Sequence, residues 1–377
     1  MNEKAYRTGT HRALLPEVTL ERVRPLLALH GITRLADVTG LDCLGIPTYC
    51  AIRPAATTLQ VSNGKGARRV DAQVSALMEG LELACAEGPP NQALLLASPG
   101  ELVARGEGFC IDLPAHARPE SPPVGRLEWA RGVDLMTGDP SWLPAATAWR
   151  RERQTVPYDW SGLASGNTLV EATLHALYEV IERHLLSSFV VDRRVDVSSA
   201  DVLDASAIAD DAVSDLSARI HTAGVKLVLL RAHSTVMHAF MAVLLDPEPL
   251  GGASAVNVGY GAHLSPSVAA SRAITEAAQS RLTFIHGSRE DLSVENYESG
   301  PVHARLYRFF DRLDPTAAWE TLADLSHADL EADLSRVLQT MPGLGLPRAH
   351  GIDMSHAASP IFVVKVVVPE ALSTIPC

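Results

Sequence analysis

The chain has 377 residues, 47% of them hydrophobic and 20% charged, a balance that leaves room for a large core and excludes wholesale disorder. Forty-four acidic against 32 basic residues give a formal net charge of -12, and aromatics are only 5%. A nucleic-acid or anionic-membrane partner is therefore not expected, because phosphate-rich surfaces call for a basic footprint and base stacking for aromatics.

The start, MNEKAYRTGTHRALLPE, has no apolar h-region, and no run of 18 apolar residues follows, so a soluble cytoplasmic protein is expected. Residues Pro16–His30 read as a short helix, with ITRLADVTG after it as a strand. GIPTYCAIRP and TTLQVS alternate and carry proline, the pattern of strands, and NGKG then turns the chain into a helix over about Arg69–Ala86. Residues 114–157, rich in Pro, Trp and short apolar runs, read as short strands. SGLASGN (Ser161–Asn167) reads as a loop of small residues, and Thr168 and Glu171 are spaced as a capping box for a helix reaching about Ser187.

Residues 199–224 read as one more helix, and VKLVLLRA and HAFMAVLLD as core strands. GGASAVNVGYGAHLSPS reads as a loop entering a third strong helix, Pro266–His286. Tyr297–Met341 reads as mostly helical and PIFVVKVVVP as a buried strand. Helices and strands mix without regular βαβ alternation, and no long polar linker divides them. The expectation is an α+β fold, mixed sheets with packed helices, in which residues 1–40 form an amino-terminal segment and 41–377 the main domain.

Five cysteines, Cys43, Cys50, Cys85, Cys110 and Cys377, are odd in number, widely spread and form no C-x-x-C pair. Neither a disulfide framework nor a zinc site is expected. Cys85 falls on an apolar helix flank and reads as core, and Cys377 as a frayed end.

The informative pattern lies on the three strong helices. At 100° per residue, Ser75, Glu79 and Glu82 fall within about 60° of one another on the first, opposite Leu77, Met78, Leu81 and Cys85. Glu171, His175, Glu179 and Glu182 share one stripe of the second, and Arg272, Glu276 and Gln279 one stripe of the third, with Arg281 on the far side. A solvated helix face usually interleaves Lys or Arg at i,i+4, and the first two stripes hold almost none. If the stripes meet, five carboxylates (Glu79, Glu82, Glu179, Glu182 and Glu276) would repel and partly protonate unless a hard cation such as Mg2+ joined them. Arg272, Lys65 and Arg12 would supply positive charge for phosphates. That constellation points to a central nucleotide–Mg2+ site, although no G-x-x-x-x-G-K-[ST], G-x-G-x-x-G or H-E-x-x-H is present and no kinase motif set.

On these residues the sequence resembles the YcaO superfamily. Ser75-x-x-x-Glu79, Glu179-x-x-Glu182 and Arg272-x-x-x-Glu276 are similar to its three nucleotide-binding motifs, in the surroundings SALMEGLELACAE, LASGNTLVEATLHALYEVIERH, GYGAHLSPSVAASRAITEAAQSRL and HGSRED. The resemblance runs over about residues 5–370. It implies a fold of that type, binding of ATP with Mg2+, and phosphorylation of a backbone amide oxygen in a peptide substrate after a nucleophile has added. It implies Glu79, Glu82, Glu179, Glu182 and Glu276 as metal-and-phosphate carboxylates, with Glu79, Glu182 and Arg272 catalytic. Asn167 and Glu171 match nucleotide contacts, and Ser75, Arg272 and Arg12 phosphate contacts.

Members differ in the attacking group: a substrate thiol or hydroxyl gives an azoline, sulfide a thioamide, an amine an amidine. Azoline-forming members typically end in Pro-x-Pro-x-Pro, whereas this sequence ends VVVPEALSTIPC, with Pro369 and Pro376 far apart. YRTGTHR and GITRLADVTGLDCLGIP resemble the branch that accompanies a TfuA partner. This implies peptide thioamidation with a TfuA-like protein, an external sulfur donor and a homodimeric enzyme. A nucleotide-binding scaffold without peptide-modifying activity is the expectation from another class.

Overall fold

The structure, a computed structural model, describes residues 3–88, 92–118, 125–150, 158–191, 194–249, 255–298 and 300–373. Cys377, Pro376 and the first residues of GGASAVNV lie outside them, as do residues 151–157 of the proline-rich stretch. Up to residue 150 the chain forms β1 (Arg34–Asp37), β2 (Thr48–Ile52), β3 (Val61–Lys65), β4 (Leu95–Ala97), β5 (Leu127–Asp134) and β6 (Pro140–Pro144), with helices α1 (Pro16–Val23), α2 (Arg69–Glu87) and α3 (Pro99–Ala104). The middle holds β7 (Leu163–Gly166), α4 (Leu169–Leu186), β8 (Val190–Val191), β9 (Arg194–Val195), β10 (Ala200–Leu203), α5 (Asp211–Thr222), β11 (Lys226–Ala232), β12 (His238–Leu245) and β13 (Val256–His263). Then come α6 (Pro266–His286), α7 (Val294–Glu298), α8 (Gly300–Asp311), α9 (Leu330–Thr340), β14 (His350–Asp353) and β15 (Phe362–Val367).

The chain divides into two compact units. The first comprises Met1–Lys4, Leu81–Ser187 and His327–Cys377. Among its described residues an antiparallel sheet runs β4-β5-β14-β15-β7, with β6 paired to β5. Trp129, Leu143, Trp149 and Ile352 are buried in it. Lys365 of β15 is buried too, its ammonium donating to the carbonyls of Asp159 and, at 2.6 Å, Ser161, and lying 5.3 Å from the Tyr158 ring centre. Burial raises the Asp159 carboxyl, but the hydrogen bond from His116 and the charge of Lys365 prevail and hold it well below the usual range. Lys4 and Asp333, both fully buried side chains, pair at 2.5 Å and tie the amino-terminal residues to α9.

The second unit comprises Ala5–Gly80 and Ser188–Ser326. It carries a three-stranded antiparallel sheet, β1-β2-β3, and a four-stranded one, β10-β11-β12-β13, on which α6 packs. Its core joins Ile46, Leu216, Leu229, Phe240, Ala273 and Ile274. Arg281, on the apolar side of α6, is buried in ion pairs with Asp42 at 3.1 Å and Asp246 at 2.8 Å.

The mixed α+β architecture matches expectation, and α6 has the expected bounds, opened by Pro266 at its first turn and stopped by Gly287 at φ 58°. Elsewhere the chain departs from expectation for identifiable reasons. The amino-terminal helix stops at Val23, because Pro25 has no amide hydrogen, and a 3-10 turn over Arg24–Leu26 follows. Residues 199–224 are not one helix: Ala200–Leu203 pairs with Leu229–Ala232 as an edge strand, and the helix starts at Asp211, capped by Asp210. Leu163–Gly166 and Val256–His263, expected as loops, are strands with mostly buried residues. Their small residues depress β-propensity, which is outweighed by burial on both faces.

Candidate functional site

Each of the three strong helices follows a strand that carries glycine against it. A β-carbon on Gly64 of β3 would lie 2.0 Å from the Ala76 amide nitrogen, and one on Gly259 of β13 2.1 Å from that of Ala277. On Gly166 of β7 it would lie 2.6 Å from the Ala172 nitrogen. Glycine is required at these positions because helix backbone fills the space a side chain would occupy. Such close seating fixes the rotation of each helix, and with it the direction of the polar stripe.

None of the eleven predicted site residues is exposed. Asn167, Glu171 and Glu182 are buried, and Arg12, Lys65, Ser75, Glu79, Glu82, Glu179, Arg272 and Glu276 are intermediate. A solvated face would leave such side chains in water.

In the second unit, Lys65 at the end of β3 forms an ion pair with Glu276 of α6, whose other carboxylate oxygen accepts from the Tyr260 amide at 3.3 Å. The guanidinium of Arg272, one turn earlier, has no hydrogen-bond or ion-pair partner among the described residues. Ser75 and Glu79 lie on α2. Near Glu79, burial first and then its charge push the Cys50 thiol up to about 11, so Cys50 is a neutral donor to Asn63 Oδ1 at 3.1 Å. Burial acts to lower Arg289, but its bond to Asp291 and the charge of Glu79 outweigh this and raise it. The backbone of Arg12 exchanges two hydrogen bonds with Tyr6, at 3.0 and 3.2 Å, and the Tyr6 hydroxyl donates to Asp71 at 3.1 Å. Arg12 is thus anchored through Tyr6 to the first turn of α2.

In the first unit, Glu82 accepts from the Ser165 hydroxyl at 2.5 Å. Thr168 caps α4 by accepting from the Glu171 amide at 3.1 Å. The Glu171 carboxylate does not close the expected box on Thr168 but accepts from the Asn167 amide at 3.2 Å and its side chain at 3.3 Å. Glu179 pairs with Arg183 at 3.3 Å, and Glu182 is 7% exposed. Ser165, Arg183 and Tyr260 escaped the sequence reading, although Ser165 shares the strand face of Asn167 and Arg183 is four residues after Glu179.

Among the described residues no group of three or more His, Cys, Asp or Glu is close enough to hold a metal ion by itself. The donor set nevertheless suits Mg2+, which takes hard oxygen ligands and is usually held by one or two carboxylates together with substrate phosphates and water. Arg272 and Lys65 carry the cationic groups that bind phosphate oxygens in general.

Residues 63–372 match the YcaO cyclodehydratase family, described as ATP- and Mg2+-binding. A protein of Mycobacterium tuberculosis is 38% identical over 97% of this chain and 83% of its own length. One of Rhizobium leguminosarum bv. trifolii, described as lying in the tfuA 3' region, is 33% identical over 95% of this chain and 88% of its own. Among solved structures, YcaO from Methanopyrus kandleri bound with AMPPCP and Mg2+ matches with a TM-score of 0.78 at 24% identity, covering 100% of this chain and 99% of that one. This last likeness carries the fold.

Proposed function

We propose that this chain, which belongs to the YcaO family, is an ATP- and Mg2+-dependent enzyme that converts a peptide backbone amide to a thioamide. The reading of sulfur as nucleophile is carried by one observation, the relative described as lying in the tfuA 3' region, similar along nearly the whole chain. The reading of the site is supported by acidic helix faces withdrawn from water.

Bound ATP supplies the phosphoryl group that makes the amide oxygen a leaving group, and Mg2+ supplies charge. On this reading Glu79, Glu82, Glu179, Glu182 and Glu276 are the carboxylates that would hold Mg2+, a hard cation that takes oxygen ligands. Arg272, Lys65, Ser75 and Arg12 bind phosphate oxygens, with Asn167 and Glu171 on the rest of the nucleotide. Arg272 suits a transition-state role: its guanidinium has no side-chain partner among the described residues and can stabilise charge that grows during transfer. Sulfide from an external donor would add to the carbonyl carbon, the oxyanion so formed would take the phosphoryl group of ATP with release of ADP, and phosphate would leave as the sulfur loses its proton and the carbon–sulfur double bond forms. A TfuA-like protein would help deliver sulfur or substrate to a cytoplasmic homodimer.

The family's description as cyclodehydratase favours a second reading, azoline formation from a substrate side chain. Incubation with ATP, Mg2+, sulfide, the TfuA-type partner and a candidate peptide separates the two. A product heavier by exchange of oxygen for sulfur supports thioamidation, and one lighter by a water supports cyclisation. Nucleotide binding with no product would favour the scaffold.

A further inference from the structure

Helix α6 carries one polar stripe: Arg272, Glu276, Gln279, Thr283 and His286 recur at i, i+4, i+7, i+11 and i+14, within about 80° at 100° per residue. Its far part is satisfied from within. The Thr283 hydroxyl accepts from Asn63 Nδ2 at 2.7 Å and donates to the main-chain carbonyl of Gln279 at 2.8 Å. Asn63 Oδ1 accepts from Cys50. Before it, Glu276 is engaged by Lys65 and the Tyr260 amide.

Gln279 stands between them with its side-chain amide unused. Its Oε1 is buried without a partner, and neither amide atom has a hydrogen bond among the described residues. An amide oxygen removed from water and left unpaired weakens the fold, and a leucine of similar size would avoid that loss. Packing gives no reason for the amide, so its reason lies in a ligand.

We infer that Gln279 is a further ligand-contacting residue of the ATP–Mg2+ site proposed above, on which this inference rests. Its carbonyl accepts from a metal-held water, or its amino group donates to a phosphate oxygen. Which atom of the amide faces the ligand does not matter, because oxygen and nitrogen are told apart by their partners and here there are none. A neutral amide serves either need without adding to the repulsion among the carboxylates.

Titration of AMPPCP with Mg2+ into the full chain and into Gln279→Leu tests the inference, with the unliganded thermal midpoint of each. The expected result is binding about tenfold weaker in the variant, the effect of one lost hydrogen bond, with a midpoint equal to or above wild type. Equal affinity overturns the inference alone, and so does a lowered midpoint, which would make the residue structural. Failure of the wild-type chain to bind AMPPCP–Mg2+ overturns the inference together with the site reading beneath it.

Discussion

Gly64 and Ala76 meet backbone to backbone, and a β-carbon at residue 64 would stand 2.0 Å from the Ala76 amide nitrogen. Neither backbone can yield without moving β3 or α2. Gly64→Ala should therefore destabilise by about 3 kcal/mol or more. Gly40→Ala, where nothing lies within 4 Å, should stay within about 0.5 kcal/mol of wild type. Urea unfolding midpoints check both, and a neutral Gly64→Ala would refute the close seating.

The Arg272 guanidinium has no partner among the described residues, and Glu182 keeps its shape when replaced by glutamine. Arg272→Ala and Glu182→Gln should unfold within about 0.5 kcal/mol of wild type, while peptide-dependent ATP turnover falls about 10²- to 10³-fold. Steady-state ADP release beside thermal melts separates these effects. Normal turnover in both variants would remove these residues from the site.

Much of this was legible in the sequence because helix periodicity is strong where apolar and acidic residues segregate. The bounds of α6, the opposite placement of Arg281 and the burial of Cys85 follow from that pattern. The strands before α4 and α6 were not legible. LASG and VNVGYGAH hold the small residues that helix seating demands, and the same residues spell a loop when read by local propensity. Partners separated far along the chain, such as Lys65 with Glu276 or Ser165 with Glu82, have no local signature at all.

Four histidines set the acid limit. His184, His238, His286 and His350 are each held below the usual 6.5, in every case by burial first. The unfolded chain then takes up protons before the folded one, so stability is present above about pH 6.5 and is lost as pH falls towards the folded values. Asp159, depressed instead, contributes down to much lower pH. Thermal midpoints should thus fall from pH 7.5 to pH 5.5. His238→Gln, which cannot titrate, should fall less; a wild-type midpoint unchanged over that range would contradict the reading.

Lys365→Met keeps the length of a buried side chain but strips the donors from the Asp159 and Ser161 carbonyls and the countercharge from Asp159. The expected cost is about 3 kcal/mol, that of leaving a buried charge uncompensated. Chemical denaturation at neutral pH measures it, and a loss below about 0.5 kcal/mol would show the pair to be solvent-relaxed.

The proposed activation of the amide oxygen is tested most directly by a peptide whose backbone carbonyls carry heavy oxygen, incubated with the enzyme, ATP, Mg2+ and sulfide. The label should appear in the released inorganic phosphate as sulfur enters the peptide. Phosphate free of label beside a sulfur-containing product would contradict phosphorylation at the amide oxygen.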